Sequence, residues 1–448
     1  MCRSIVGMRT RQAALAAALA LAGCGGSSDV APRLIPGGGI GDGSPDGKVN
    51  VYVIDDDTDA PIAGAAVTVG AVEGTTDATG LFVATGDVHG AQTIVATASG
   101  HVASMWVGAD GVNVTIPLAS TAADTGDVPQ AQITGTITGW ADLQPTAGRY
   151  LAAFVGYTQT RQIGARENSL TQPTGTPPPN VCLNAGGPIP ATCNWTLRSR
   201  TGHVAVHAVL FEGDPHGTPL DPSDDTYTMT GFGWKGGLVV QDGVDQSGVA
   251  IDLLGGDAIV GVNVDLGTPP PGLTDKIAVV GVDLGDDGIA QMANLFDATQ
   301  IVVPALSALP AGASYRLNAF CTEPGAGLDK AQSLVFQRDL ATPQFAVAGW
   351  LAPPGGLAAS AASVAFNRVA GAALHTIELA GDAGRALSIA IFDDSATVDL
   401  PAQVALPAGT IHVDVGAIEA DLDVHDFSLA EDAEQIDRLA SDGVAFSH

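Results

Sequence analysis

The sequence is poor in aromatic residues, cations and cysteines. Phe, Trp and Tyr make up 5% of the 448 residues, and only five residues are cysteine. Eighteen Lys and Arg stand against 48 Asp and Glu, which gives a formal net charge of −30 at pH 7. A field of this sign repels nucleic acid and anionic lipid headgroups, so we expect neither as a direct partner.

Motifs that mark the common catalytic sites are also missing. The chain has no G-x-S-x-G, no H-E-x-x-H, no phosphate-binding glycine loop and no dinucleotide fingerprint. Its 40 aspartates offer so many carboxylate pairs that no glycosidase dyad can be singled out. We therefore expect a non-enzymatic protein without a cofactor. After residue 23, no segment reaches the roughly 18 uninterrupted apolar residues of a transmembrane helix.

Residues 1–23 have the organisation of a secretory signal. Three arginines precede a short apolar stretch over residues 13–22. The tetrad Leu21-Ala22-Gly23-Cys24 that follows resembles the lipobox of bacterial lipoproteins. The resemblance implies cleavage before Cys24, acylation of this cysteine, and contact with the membrane through its lipids. It also implies sorting to the outer membrane of a bacterial envelope, facing either the cell surface or the periplasm.

The segment after Cys24 predicts a flexible, lipid-anchored linker over residues 24–47. It is rich in glycine, serine and proline and has little that could form a core. The leader holds three cations and no acids, so its removal takes the formal charge from −30 to −33.

The rest of the chain has the composition of short strands joined by acidic turns. It is rich in Gly, Pro and Asp, residues that favour turns over helix interiors. Four segments share a glycine followed by alternating apolar residues, at a spacing of about one hundred residues, the size of one β-sandwich. They are GAQTIVATA from Gly90, GHVAVHAVL from Gly202, GASYRLNAF from Gly312 and GTIHVDVGA from Gly409.

This pattern predicts an all-β protein of tandem Ig-like or transthyretin-like β-sandwiches. The predicted units cover residues 48–120, 128–255, 256–355 and 360–448. The second unit carries a long insertion over residues 158–200.

The first unit resembles the carboxypeptidase regulatory-like domain, a small transthyretin-like β-sandwich. The resemblance covers about residues 48–118 and departs from the family at His101, where an aromatic residue is usual. It implies a non-catalytic scaffold that stiffens, spaces or presents other parts of the protein. The residues that carry it are Pro61, Gly64, Val67, Thr76, Gly80, Phe82, Ala96 and Gly100.

The last unit combines a second resemblance with a helix signal. SVAFNRVAGAALHTIEL, from Ser363, resembles the start of a fibronectin type III domain. Near the C-terminus, Ser428 and Glu431 have the spacing of a capping box. The sequence therefore predicts one short C-terminal helix, with a shared apolar face of Leu429, Ala433, Ile436 and Ala440.

Two of the cysteines predict a disulfide bond in the insertion. Cys182 and Cys193 flank a Pro- and Gly-containing loop, and a bacterial envelope is oxidising enough to join them. Cys321 is expected to be a buried small residue rather than a nucleophile.

The same insertion is locally basic in an acidic protein. We interpret this loop as a candidate recognition surface, and a long solvated loop is the alternative. Its cations are Arg161, Arg166, Arg198 and Arg200.

Two aspartate groups are candidates for structural calcium, the alternative being that no metal binds. The first has the one-three-five spacing of a calcium loop but lacks its glycine and its final glutamate. The candidates are Asp55, Asp57 and Asp59 in the first group and Asp283, Asp286 and Asp287 in the second.

These observations favour a lipid-anchored envelope protein that acts as a binding, spacer or display module for a protein or glycan ligand. A second hypothesis is an envelope hydrolase with accessory β-sandwiches. A third is a structural subunit of an outer-membrane complex.

Overall fold

The computed structural model describes residues 30–121, 128–160, 170–175, 177–184, 192–216, 225–254, 258–296, 300–325 and 330–448. Within these ranges the chain forms five β-sheets and a single short α-helix. The all-β prediction is confirmed. The four repeated segments all lie in strands, one in each predicted unit.

The first unit is a two-layer sandwich whose core contains Val51, Val67 and Ile116. One layer has the strand order β1-β8-β2-β5 and is extended beside β1 by a short strand from near the C-terminus, β29 (Phe427–Ser428), and the other layer contains β7-β6-β3-β4. Its strands are β1 (Gly39–Gly41), β2 (Asp46–Asp55), β3 (Ala66–Val69), β4 (Val72–Thr75), β5 (Leu81–His89), β6 (Gln92–Thr97), β7 (Ala103–Ala109) and β8 (Asn113–Leu118).

The second unit is one seven-stranded sheet in the order β11-β10-β13-β14-β15-β9-β12. Its strands are β9 (Gln130–Thr138), β10 (Tyr150–Tyr157), β11 (Val181–Asn184), β12 (Cys193–Arg200), β13 (Gly202–Asp214), β14 (Thr226–Val240) and β15 (Gln246–Leu254), and a 3-10 helix spans Trp140–Asp142. The predicted insertion over 158–200 is therefore only in part a loop, because it supplies both end strands of this sheet.

The third unit packs directly against the second. Its strands are β16 (Ile259–Asp265), β17 (Asp275–Asp283), β18 (Ile289–Phe296), β19 (Gln300–Pro304), β20 (Ser314–Thr322), β21 (Gln332–Leu340) and β22 (Phe345–Ala346), with 3-10 helices at Gly285–Asp287 and Leu306–Ala308. Alternate residues of β13 serve the two cores: Val204 belongs to the core of the second unit, whereas Ala205 and Val209 join Val280 and Leu317 of the third.

The fourth unit completes a sheet begun by the others. Its elements are β23 (Gly355–Ala359), β24 (Ser363–Asn367), β25 (Leu374–Gly381), β26 (Gly384–Ile391), β27 (Thr397–Asp399), β28 (Thr410–Ala420), β29 (Phe427–Ser428), α1 (Leu429–Asp432), a 3-10 helix at Ala433–Gln435, and β30 (Ile436–Ser447).

A twelve-stranded sheet joins the first, third and fourth units. Its order is β18-β17-β20-β21-β30-β28-β25-β26-β7-β6-β3-β4. The link between the first and fourth units is parallel, with Leu387 to Ile391 of β26 opposite Ala103 to Val107 of β7. The first, third and fourth units therefore share one continuous sheet, because β26 pairs with β7 and β21 pairs with β30.

The prediction of a flexible linker up to residue 47 is wrong over its described part. Strand β1 pairs with β8 on one side and with β29 on the other. Ile35 and Ile40 are 2% and 0% exposed. These two apolar residues give the Gly-rich segment enough side chain to enter the first core, and the low overall hydropathy of the segment concealed them.

The C-terminal helix is present but shorter than its apolar pattern predicts. Only Leu429–Asp432 is α-helical, and Ile436 and Ala440 lie in β30. Ser428 does not cap with its side chain; its hydroxyl donates to the carbonyl of Pro36 (2.8 Å). Strand β30 pairs with both β28 and β21, and these two ladders of backbone hydrogen bonds outweigh a short helix of modest propensity.

Candidate functional site

A cavity of about 290 Å³ lies where the first and last units meet. Its floor is one face of β25, β26 and β7 in the twelve-stranded sheet. Ile418 of the neighbouring strand β28 extends this sheet side, and the rest of the lining comes from residues 422–436 and from Asp56, Pro117 and Ala119 of the first unit. The site thus exists only because the C-terminal strands return to the N-terminal sandwich.

Strand register arranges the floor in two rows of side chains. Glu378 stands opposite Ser388, and Ser388 stands opposite Ser104. One step further along the same face, Thr376, Ala390 and Trp106 form the second row. Residues two apart on a strand are about 6.6 Å apart, so the surface changes from polar to apolar over that distance.

The apolar end of the cavity is closed by three aromatic rings. The ring centroid of Trp106 lies 5.2 Å from that of Phe392 and 6.5 Å from that of Phe427. All three residues are at most 8% exposed. Each buried aromatic side chain stabilises the fold by roughly 1.5–3 kcal/mol relative to its exposed state, and together they give the cavity a rigid end.

The polar end carries charge and meets solvent. The hydroxyl of Ser388 donates to Oε1 of Glu378 (2.8 Å), and Nη1 of Arg385 lies 3.5 Å from Oε2 of the same carboxylate. The side chains of Glu378 and Arg385 are 34% and 55% exposed. Asp56 lines the same mouth. A ligand with an apolar body and one polar group fits this arrangement.

Sequence reasoning missed this site. Its floor joins residues near 105 to residues near 390, and nothing local links them. Glu378 offered one signal, since it is one of only eight glutamates and alternates with apolar residues in HTIEL. That pattern predicts a strand but does not indicate what faces it.

Cys182 and Cys193 are joined by a disulfide bond with a Cα–Cα distance of 5.8 Å. It connects β11 and β12, the two end strands of the seven-stranded sheet, and so links the sheet edges to each other. Cys321 is fully buried, and burial raises the pKa of its thiol to about 11. Its thiolate is therefore scarce at neutral pH, which disfavours a nucleophilic role.

Two of the four candidate recognition residues, Arg198 and Arg200, are described by the structure, and they differ in exposure. Arg161 and Arg166 lie outside the described residues. Arg198 is exposed on β12, but Arg200 is 6% exposed and donates to the carbonyls of Thr201 (3.2 Å) and His203 (3.0 Å). Arg200 thus braces its own strand end, and the basic-loop interpretation fails for it because its guanidinium is turned inward.

The structure does not assemble calcium sites from the first aspartate group. Oδ1 of Asp55 accepts from the backbone N–H and hydroxyl of Thr58, and Oδ2 lies 3.2 Å from Nε2 of His101. Asp59 turns the chain with φ = 54°, while Asp57 is exposed. These are the contacts of an acidic turn, with one carboxylate already engaged.

The three aspartates of the second group have separate contacts and do not form a common site. Oδ2 of Asp283 lies 3.1 Å from Nε of buried Arg316, Asp287 accepts from the N–H of Gly237 (3.0 Å), and Asp286 occupies the 3-10 helix between them. Among the described residues, no three His, Cys, Asp or Glu side chains come together in a way that could hold a metal ion.

Two histidines are buried in structural positions. His207 lies on the face of β13 that packs toward the third unit, next to Phe232 (ring centroids 6.3 Å apart). His375 is fully buried, and its Nε2 accepts from the N–H of Val369 (3.0 Å). Desolvation lowers the pKa of both rings from 6.5 to about 4.

Comparisons with known proteins give likenesses to solved structures only. No family model matches the chain, and no curated protein does. Among solved structures, it is similar to a Ca²⁺-stabilized adhesin that helps an Antarctic bacterium reach out and bind ice, with 11% identity over 91% of this chain and 99% of the adhesin chain. The TM-score is 0.14, so the likeness carries no argument. No helix among the described residues is long and apolar enough to cross a membrane.

Proposed function

We propose that the protein is a lipid-anchored, non-enzymatic envelope protein that binds a small ligand in the cavity between its first and last units. The cavity is the observation that carries this proposal. It combines a rigid apolar end with a few polar groups at its mouth, which is the usual construction of a small-molecule site.

The proposed anchor would hold this site close to a membrane. The N–H of Arg33 donates to Oδ1 of Asn113 (3.0 Å), so the chain is attached to the first sandwich from there onward. Arg33 follows Cys24 after nine residue steps, which can span at most about 30 Å. A lipid on Cys24 would therefore place the body at the membrane surface rather than on a long stalk.

A scaffolding role for the first unit follows from its resemblance to the carboxypeptidase regulatory-like domain. Its tight hairpin supports that assignment. Gly80 has φ = 74°, and a Cβ there would lie 2.7 Å from the carbonyl oxygen of Val53. Only glycine fits this turn, which presses the hairpin against β2.

Anchoring is tested with the substitution Cys24→Ala. We expect globomycin-sensitive processing and metabolic acyl labelling in the unchanged protein, and neither in the variant, because the thiol that carries the lipid is gone. Acyl labelling that persists in the variant would contradict the proposal. Cys321→Ala is the matched control and should leave labelling intact.

Binding is tested with the neutral fluorescent probe 2-naphthol, which has ten carbon atoms, and the substitution Ala390→Phe. Ala390 lies in the floor next to Trp106, so a phenyl ring there occupies the space of the ligand. We expect one probe per protein, with an affinity at least about tenfold lower in the variant. Ala365→Phe, on a different sheet, is the control. Equal binding by all three proteins, with unchanged circular dichroism, would exclude the cavity as the site.

A further inference from the structure

We infer that the cavity selects ligands with an apolar body and a cationic amine head, an inference that rests on the proposed function. The charge at the mouth, the length of the apolar part and the volume of the cavity all favour such a ligand.

The charge at the mouth favours a cation. Glu378 and Asp56 bring two carboxylates close to the one guanidinium of the lining, Arg385, and Asp432 adds a third carboxylate elsewhere in the lining. The Glu378 carboxylate accepts from the Ser388 hydroxyl, while Arg385 is 55% exposed, lies 3.5 Å from the same carboxylate and also attracts Asp56. A primary ammonium can approach the same carboxylate and replace this loose contact. An anionic head meets two like charges instead.

The apolar part favours an extended body. From Ser388 to Phe392 the floor runs over four strand residues, or about 13 Å. Ala390 keeps the middle of this path open, since its side chain is small. A void of about 150 Å³ is known to hold benzene, so 290 Å³ accommodates roughly ten to twelve carbon atoms.

The experiment compares octylamine, 1-octanol and octanoate, which share one body and differ in the charge of the head. Isothermal titration calorimetry at pH 7 measures each directly on the full mature protein. We expect octylamine to bind most tightly and octanoate least, with about tenfold between amine and alcohol.

Two substitutions with opposite effects assign the preference to named groups. Glu378→Gln removes the carboxylate and should weaken octylamine binding about tenfold while strengthening octanoate binding. Arg385→Gln removes the competing cation at an exposed position and should strengthen octylamine binding about threefold. The control Glu323→Gln, in the third unit, should change the affinity for neither octylamine nor octanoate. If Glu378→Gln does not fold, Arg385→Gln alone still tests whether removing the cation strengthens octylamine binding.

The outcomes separate this inference from the proposed function. Equal affinity for the three compounds, lost in Ala390→Phe, keeps the binding function and overturns the amine preference. Tightest binding of octanoate overturns it as well and assigns the head group to Arg385. No heat from any compound, together with no change in probe fluorescence, overturns both proposals.

Discussion

Acidification from pH 7 to pH 4.5 should lower the free energy of unfolding by about 5 kcal/mol through His207 and His375 alone. Each ring has a pKa of about 4 in the folded protein, against 6.5 when unfolded. Below pH 6.5 the unfolded chain therefore takes up protons that the folded chain does not. Each histidine makes the free energy of unfolding fall by about 1.4 kcal/mol per pH unit of acidification between pH 6.5 and 4. It has no such effect above that window.

The geometry explains why these rings resist protonation. Nε2 of His375 accepts the N–H of Val369, so a proton on that nitrogen would remove the acceptor and leave a buried donor unpaired. Arg368 adds repulsion, a smaller effect than desolvation. His207 lies between the second and third units, and a hydrogen bond with the backbone of Gln291 only partly opposes the effect of burial on its pKa.

Urea unfolding at several pH values between 4.5 and 7.5 measures this slope. His207→Gln and His375→Gln should each reduce it by about half, whatever they do to stability at pH 7. His203→Gln is the matched control, since His203 is exposed on the same strand as His207. A slope that neither buried variant changes would show that other groups cause the acid sensitivity.

The substitution Arg316→Met should destabilise the protein by about 3–5 kcal/mol. The side chain of Arg316 is 9% exposed, and its Nε lies 3.1 Å from Oδ2 of Asp283, itself 5% exposed. Its Nη2 donates to Oε2 of Glu434 at 2.7 Å. Arg316 thus ties the third unit to the turn before β30. Removing Arg316 leaves the buried carboxylate of Asp283 without its counter-charge.

Thermal or urea unfolding of matched variants tests this assignment. Arg149→Met removes an arginine that pairs with Glu212 at 3.1 Å but is 39% exposed, and it should cost no more than about 1 kcal/mol. The double variant Asp283→Leu, Arg316→Met should recover part of the loss, because both buried charges are gone. Equal costs for Arg316→Met and Arg149→Met would contradict a buried, coupled pair.

The strands were predictable where their cause is local. Alternating apolar residues after a glycine identified β6, β13, β20 and β28, because a half-buried strand needs a period of two. The same kind of pattern misled near the C-terminus. Leu429, Ala433, Ile436 and Ala440 have helical spacing, yet two neighbouring strands were available to pair with residues 436–447, and only the folded chain brings them there.

Sequence alone determined the fold class, the strand-rich repeat, the acidic surface and the expectation of a lipid at Cys24, since each depends on composition or on residues adjacent in the chain. Tertiary structure decided that β1 enters the first sandwich, that β26 pairs with β7, and that Arg200 and Asp283 are used internally. The candidate cavity belongs to this second set. Its walls come from segments almost three hundred residues apart, and the pairing that joins them depends on backbone hydrogen bonds, which carry no sequence signature.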